Sequence, residues 1–212
     1  MADEDFTEET DGETLTPASA AGLISAEGSR ARRRLEWAGR FIFGMWGGVW
    51  ALSAIGFYLA LPRGPELWPR TAAIAIVSVV VTIAFAASIV LGVRSSREVH
   101  GPAQRSGAWL GWGWLASYGA IAVVNAGLAG RGLSEDTVAL LWSGTSLVVI
   151  GILVLTTGAH TLDRIGYGIG ILLLCGGALA VLVGVPHNYL VLGIAGGAGM
   201  IGHAVLAGGR AG

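Results

Sequence analysis

Six stretches of apolar positions, each about 20 residues long, recur along the chain near 41–61, 71–93, 107–129, 137–156, 165–185 and 189–208. As helices, segments of that length cross roughly 30 Å of hydrocarbon. The segments between them carry the turn and breaker residues that stop a helix: "PRGPELWPR" (62–70), "RSSREVHGPAQRS" (94–106), "GRGLSED" (130–136), "TTGAHTLDR" (156–164) and "PHN" (186–188). The pattern predicts an all-α integral membrane protein, a six-helix transmembrane bundle over residues 41–208.

Before Phe41 the pattern is polar. Residues 1–29 carry Asp3, Glu4, Asp5, Glu8, Glu9, Asp11, Glu13 and Glu27 without a basic residue, and hold few large apolar side chains. That composition predicts a disordered acidic tail, in which Thr7, Thr10, Thr14 and Thr16 sit as candidate phosphorylation sites. It lacks the basic start and immediate apolar run of a signal peptide. "SRARRRLEWAGR" (29–40) then reverses the sign. It reads as a basic juxtamembrane segment with Ser29 as N-cap, lying on anionic headgroups. Residues 209–212 form a short C-terminal tail.

Composition agrees with the pattern: 53% of residues are hydrophobic, 13% are charged, and the mean hydropathy is +0.67, a chain solvated mostly by lipid. All 13 basic residues are Arg, and they set the threading. With the N-terminus inside, Arg30, Arg32, Arg33, Arg34, Arg40, Arg94, Arg97, Arg105, Arg164 and Arg210 are cytoplasmic, and Arg63, Arg70 and Arg131 are outside. This is the positive-inside bias, and it places both termini in the cytoplasm. Trp37, Trp68, Trp109 and Trp142 fall at headgroup levels as interfacial anchors. The single Cys175 allows neither a disulfide nor a thiolate metal site within one chain and reads as a small core residue.

Small residues recur at helical spacing: Gly44 with Gly48, Gly193 with Gly197, Ala195 with Gly199, and Ala198 with Gly202. In lipid such faces bring helices, or copies of a chain, into close contact, and they predict a buried last helix. "WALSAIG" (50–56) and "WLASYG" (114–119) suggest a weak two-helix hairpin repeat. "GYGIG" (166–170) has neither the context of a phosphate loop nor the TVG run of a potassium filter.

No Asp, Glu or Arg lies inside an expected span, which argues against proton pumps, carboxylate-based intramembrane proteases and voltage sensors. The candidate bundle-interior polar residues are His203, Asn125, Ser53 and Ser117. The hydroxyls can bond back to their own helices, and Asn125 reads as interhelical glue. His203 is expected to point into the bundle and pack on an indole, with no acid at its level.

Six spans, a Ser on the fourth helix and a His on the sixth resemble the rhomboid serine proteases, which would make Ser143 and His203 a dyad. Counting down the helices separates the two by roughly 12 Å, against the hydrogen-bond reach that a dyad needs. The family's Gly-x-Ser-Gly is also absent, with Leu141 in place of its first Gly. His160 and His203 lie at different levels for two haem ligands. No catalytic residue, cofactor or metal is therefore expected, and the chain reads as a non-enzyme with no nucleic-acid partner.

From "WAGRFIFGMWGGVW" (37–50) to its end, the layout resembles the small six-helix membrane proteins of high-GC Gram-positive bacteria that are labelled hypothetical or permease-like. The resemblance implies a multi-pass protein of the bacterial plasma membrane and a transport-related subunit energised by a separate ATPase. The alternative is a scaffold or sensor that recruits a cytoplasmic regulatory protein through the acidic tail. Loop 94–106, with Arg94, Arg97, Glu98, His100 and Arg105, is the candidate partner contact.

Overall fold

A computed structural model describes residues 16–60, 69–96 and 102–207 of the chain. All regular elements among them are helical: α1 (Pro17–Leu59), α2 (Arg70–Ser96), α3 (Pro102–Ala129), α4 (Glu135–Thr161), α5 (Arg164–Val183), and a last rod made of α6 (His187–Val191), a π-helical segment (Leu192–Ala198) and α7 (Gly199–Leu206). Five of the rods are long and apolar enough to cross a membrane: Ala21–Leu59, Arg70–Ser95, Glu135–Thr161, Arg164–Val183 and His187–Leu206. The 28-residue α3 is not among them, because Gly and Trp alternate through "GAWLGWGW" (107–114) and dilute its hydropathy.

Contacts between chain-distant residues fix how the rods run. The Arg70 guanidinium at the start of α2 pairs with Glu135 at the start of α4, and the Phe57 ring near the end of α1 stacks on Tyr189 of α6 at 5.6 Å. At the opposite end, Arg40 Nε donates to the Ala204 carbonyl at 3.1 Å, and His203 reaches Asp163 in the turn between α4 and α5. Since α2 and α4 begin at one end, α3 carries the chain back along the whole bundle. At about 1.5 Å per residue it is long enough to do so.

The largest difference from the expected helix starts is at the first helix. Residues 17–29, expected to be disordered, are the first turns of α1. Thr16 caps that helix by accepting from the Ser19 N–H, and Pro17 occupies the first turn, where its missing N–H costs nothing. Ser29, expected as an N-cap, lies inside α1 and bonds back to the Ser25 carbonyl. The acidic run before Thr16 lies outside the described residues. At α4, Ser134 accepts from the Thr137 N–H, and Glu135 and Asp136 occupy the first turn, where carboxylates complement the helix dipole.

Glycine spacing explains the tightest packing. On α4, Gly144, Gly151 and Gly158 recur every seventh residue, and Gly170 and Gly177 on α5 keep the same interval, the repeat of a left-handed helix pair. The two helices meet there with almost no space. A methyl group on Gly151 would come within 2.8 Å of the Leu174 backbone nitrogen, and one on Gly158 within 2.5 Å of that of Tyr167. Leu147, Ile150 and Val154 on α4 and Leu173 and Ala180 on α5 are completely or almost completely buried beside this seam.

A second seam joins α1 to the last rod, as the small-residue reading expected. A methyl on Gly197 would stand 2.9 Å from Ala51 Cβ, and one on Gly193 would stand 3.1 Å from Ala54 Cβ. The partner glycine on α1 is Gly47 rather than Gly48: Gly47 faces Gly197 and Ile201, whereas Gly48 has nothing within 4 Å. Gly202 likewise faces open space, and Ala198 is exposed. Cys175, expected in the core, is exposed on α5, because the buried face of that helix follows Gly170, Leu173, Gly177 and Ala180.

Candidate functional site

Helices α1 and α2 pack on each other, as do α3 and α4, while α2 and α3 do not pack backbone to backbone and meet through side chains such as the edge-to-face pair Phe85–Tyr118, 5.5 Å between ring centres. The wedge between the two pairs is a cavity of about 690 Å³, closed on the far side by Tyr189 and Leu192 of the last rod. Its size falls in the usual range for small-molecule sites. Toward the Arg40 end, Trp46, Phe85 and Tyr118 form an aromatic floor, in which the Trp46 indole N–H is taken by Ser88 Oγ at 3.0 Å.

Toward the other end, Arg70, Ile74 and Val138 line both this cavity and a second hollow of about 480 Å³ that includes Ala60, Leu133 and Glu135. The Arg70–Glu135 pair stands where the two meet.

The cavity wall is mostly aliphatic and aromatic, with few polar groups. Ser53 Oγ donates to its own helix at the Val49 carbonyl. Ser143 Oγ donates to the Ala139 carbonyl and accepts from Asn188 Nδ2 at 3.1 Å. Trp50 and Tyr118 contribute to the lining, but Trp50 Nε1 and the Tyr118 hydroxyl are themselves buried, without a hydrogen-bond partner among the described residues. Leaving such a group unpaired costs about 1–3 kcal/mol. Trp50 rests Cδ2 and Cε3 against Gly196 of the π-helical segment, and those atoms lie on the side of the indole away from Nε1.

The second polar centre is at the opposite end. His203 Nε2 lies 2.9 Å from Asp163 Oδ2, and the imidazole is 7% exposed. The ring packs on Phe43, 4.3 Å between centres, rather than on an indole. Asp163 is also the N-cap of α5, accepting from the Ile165 N–H at 3.0 Å. Burial pushes its carboxyl up, but the hydrogen bond and charge of His203 and the N–H groups of Gly166 and Ile165 outweigh burial. The carboxyl is held below its ordinary value. Gly166 makes the approach possible, since a methyl there would stand 2.6 Å from Asp163 Oδ2.

The expectation that no acid reaches His203 is thus corrected. Asp163 sits in a loop by sequence, but the first turn of α5 directs its carboxylate back to α7.

The other expected polar residues lie apart from one another. Asn125 is fully buried and donates to Thr145 Oγ1 on α4 at 2.9 Å, an interhelical bond of the expected kind. Ser53 is on the cavity wall, and Ser117 bonds back to the Gly113 carbonyl of α3. Ser143 and His203 are committed to separate partners, Asn188 and Asp163, at opposite ends of the bundle. His160 is exposed in the last turn of α4.

Loop 94–106 is shorter than expected, because α2 runs to Ser96 and α3 starts at Pro102. Arg94 and Arg105 are exposed helical residues, while Arg97, Glu98 and His100 lie outside the described residues. Among the described residues, no group of three or more His, Cys, Asp or Glu could hold a metal ion.

Sequence reasoning missed Asp163, Asn188, Trp50, Tyr118 and the Arg70–Glu135 pair. Asn188 carried a signal, a polar residue two positions after a proline in a separator too short to hold it in solvent, and it is fully buried. No family model matches the chain, and no characterised protein or solved structure is similar to it.

Proposed function

We propose that the chain is a six-span membrane protein whose α1–α4 cavity accommodates a small solute, a transport-related, permease-like subunit working with a separate energising partner. The observation that carries this reading is the pair of hollows meeting at Arg70 and Glu135. Together they make a half-path from one end of the bundle to the aromatic floor at Trp46, Phe85 and Tyr118. We read α3 as the sixth span, and the levels of Arg70, Glu135, Arg40 and Asp163, which have it run the length of the others, support that reading. The Arg distribution puts the Arg70 end outside, so the path faces out.

Thiol accessibility tests this. With Cys175→Ala as background, Ser146→Cys on the cavity wall should react slowly with a small methanethiosulfonate applied from outside. Arg70→Gln should speed the reaction severalfold by opening the pair. Absence of reaction in both forms contradicts a path. Co-purification from native membranes, scored for an ATPase, tests the partner.

A second reading has its own observation: every described side chain from Ser19 to Trp37 is exposed, so the first turns of α1 stand clear of the bundle. They would suit a scaffold that presents this helix to a cytoplasmic regulator. Recovery with a regulator, and with no ATPase, favours it.

A further inference from the structure

We infer that the cavity holds one acyl chain of a membrane lipid, which enters sideways from the bilayer between α2 and α3. The inference rests on reading the cavity as a solute site and adds the substrate class.

The cavity is open on one side. The wall supplied by α1 and the last rod is buried or half-buried, whereas no described wall residue on α2 or α3 is buried, and Ile74, Ser78, Leu115, Gly119 and Ala122 are exposed. A methyl group added to Gly119 would meet nothing within 4 Å. Because α2 and α3 do not pack backbone to backbone, the cavity is a slot whose open side lies between two membrane-facing helices.

Depth matches one leaflet. From Arg70 at the mouth to Phe85 at the floor, α2 advances by 15 residues, about 22 Å of helix. Half a bilayer with its headgroup region measures about 20–22 Å. The slot stops blind at the Phe85–Tyr118 edge-to-face pair. A chain extended from a headgroup at the level of the Arg70–Glu135 pair fills that length, whereas a short polar solute leaves most of it empty and forfeits the dispersion contacts of the wall.

Polarity agrees. Arg70 is the charged residue among the described lining residues, and its guanidinium is paired with Glu135. Ser53 and Ser143 donate their hydroxyl protons to carbonyls of their own helices. An acyl chain asks nothing of the oxygens that remain, whereas an ion would meet no uncompensated charge in a mostly apolar slot.

The test is photolabelling of the full-length chain in vesicles with a phosphatidylcholine that carries a diazirine near the middle of one acyl chain, with adducts mapped by mass spectrometry. Val49 and Ser146 on the cavity wall should be labelled, together with Ile76 and Val79, which are exposed on α2 outside the lining. Gly119→Phe and, separately, Ala122→Phe place a ring in the slot and should cut labelling of Val49 and Ser146 severalfold, leaving Ile76 and Val79 unchanged.

Labelling of Ile76 and Val79 alone overturns the inference. If Ser146→Cys still reacts with the small thiosulfonate in that case, the cavity stays a solute site of another class, and if neither probe reaches the wall, the solute-site reading fails as well. Wall labelling that both Phe variants leave unchanged overturns entry between α2 and α3.

Discussion

His203 Nε2 and Asp163 Oδ2 lie 2.9 Å apart across forty residues of sequence, and this contact ties the end of α7 to the turn between α4 and α5. Two jobs fall on one carboxylate, since Asp163 also caps α5. His203→Leu should therefore lower stability by about 1 kcal/mol, less than the roughly 1.5–3 kcal/mol of a hydrogen bond to a charged group, because the Asp163 side chain is 35% exposed and water replaces part of the loss. His203→Gln should keep most of it. Asp163→Ala loses the cap as well, worth about 1 kcal/mol more. Thermal unfolding in detergent reads all three, and equal midpoints for the Leu variant and the parent would contradict the tie.

The depressed Asp163 carboxyl also predicts a pH dependence of fixed sign. A carboxyl held below its unfolded value contributes stability that is fully present above the unfolded value, about 3.9 for Asp. That contribution is lost as pH falls through the folded value. Stability should thus decline on acidification below about pH 4, and Asp163→Asn should flatten the part of the decline that belongs to this group. A decline unchanged by the substitution would assign it to other carboxyls.

The seven-residue glycine seam makes a sharper claim. Gly151→Ala and Gly170→Ala place a methyl 2.8 Å and 2.5 Å from backbone nitrogens of the facing helix, where the neighbours have no side-chain freedom to yield. Each should cost about 1–3 kcal/mol, the ordinary range for overpacking, or more. Gly48→Ala and Gly113→Ala meet nothing within 4 Å and should be neutral or mildly stabilising. Equal effects in the two sets would mean that α4 and α5 do not meet along this seam.

Asn188 and Ser143 are buried partners, 3.1 Å apart. Ser143→Ala strands the Asn188 amide, whereas Asn188→Ala leaves Ser143 still donating to the Ala139 carbonyl, so both should destabilise. The double variant should cost less than their sum, with a coupling of about 0.5–3 kcal/mol. Additivity would show that the two groups do not interact.

The helices were largely legible because lipid-length apolar runs and their breakers are local properties of the chain. The small-residue contact of Gly193 and Gly197 was legible for the same reason, and so was the interhelical bond of Asn125.

What escaped depends on side-chain direction or on a longer spacing. Asp163 counted as a loop residue because depth along a helix says nothing about where a capping side chain turns. The glycines of α4 and α5 recur every seven residues, and that spacing does not form the small-x-x-x-small pairs that mark a close helix contact in lipid. The helical start at Thr16–Pro17 was hidden by the acidic composition before it, although a Thr cap followed by Pro is itself a start signal. The cavity belongs to no segment, since it exists where α2 and α3 fail to close on one another.

The levels of the cavity and of the His203–Asp163 pair in the membrane rest on six crossings, and on α3 in particular, whose composition alone does not mark it. Side-specific labelling of single cysteines at Ser96 and Arg131, in a Cys175→Ala background, measures this directly because α3 lies between them. An impermeant thiol reagent added to intact cells should modify Arg131→Cys and spare Ser96→Cys until the membrane is opened. Modification of both from the same side would show that α3 does not cross, and modification of Ser96→Cys alone would show that the whole bundle is inverted.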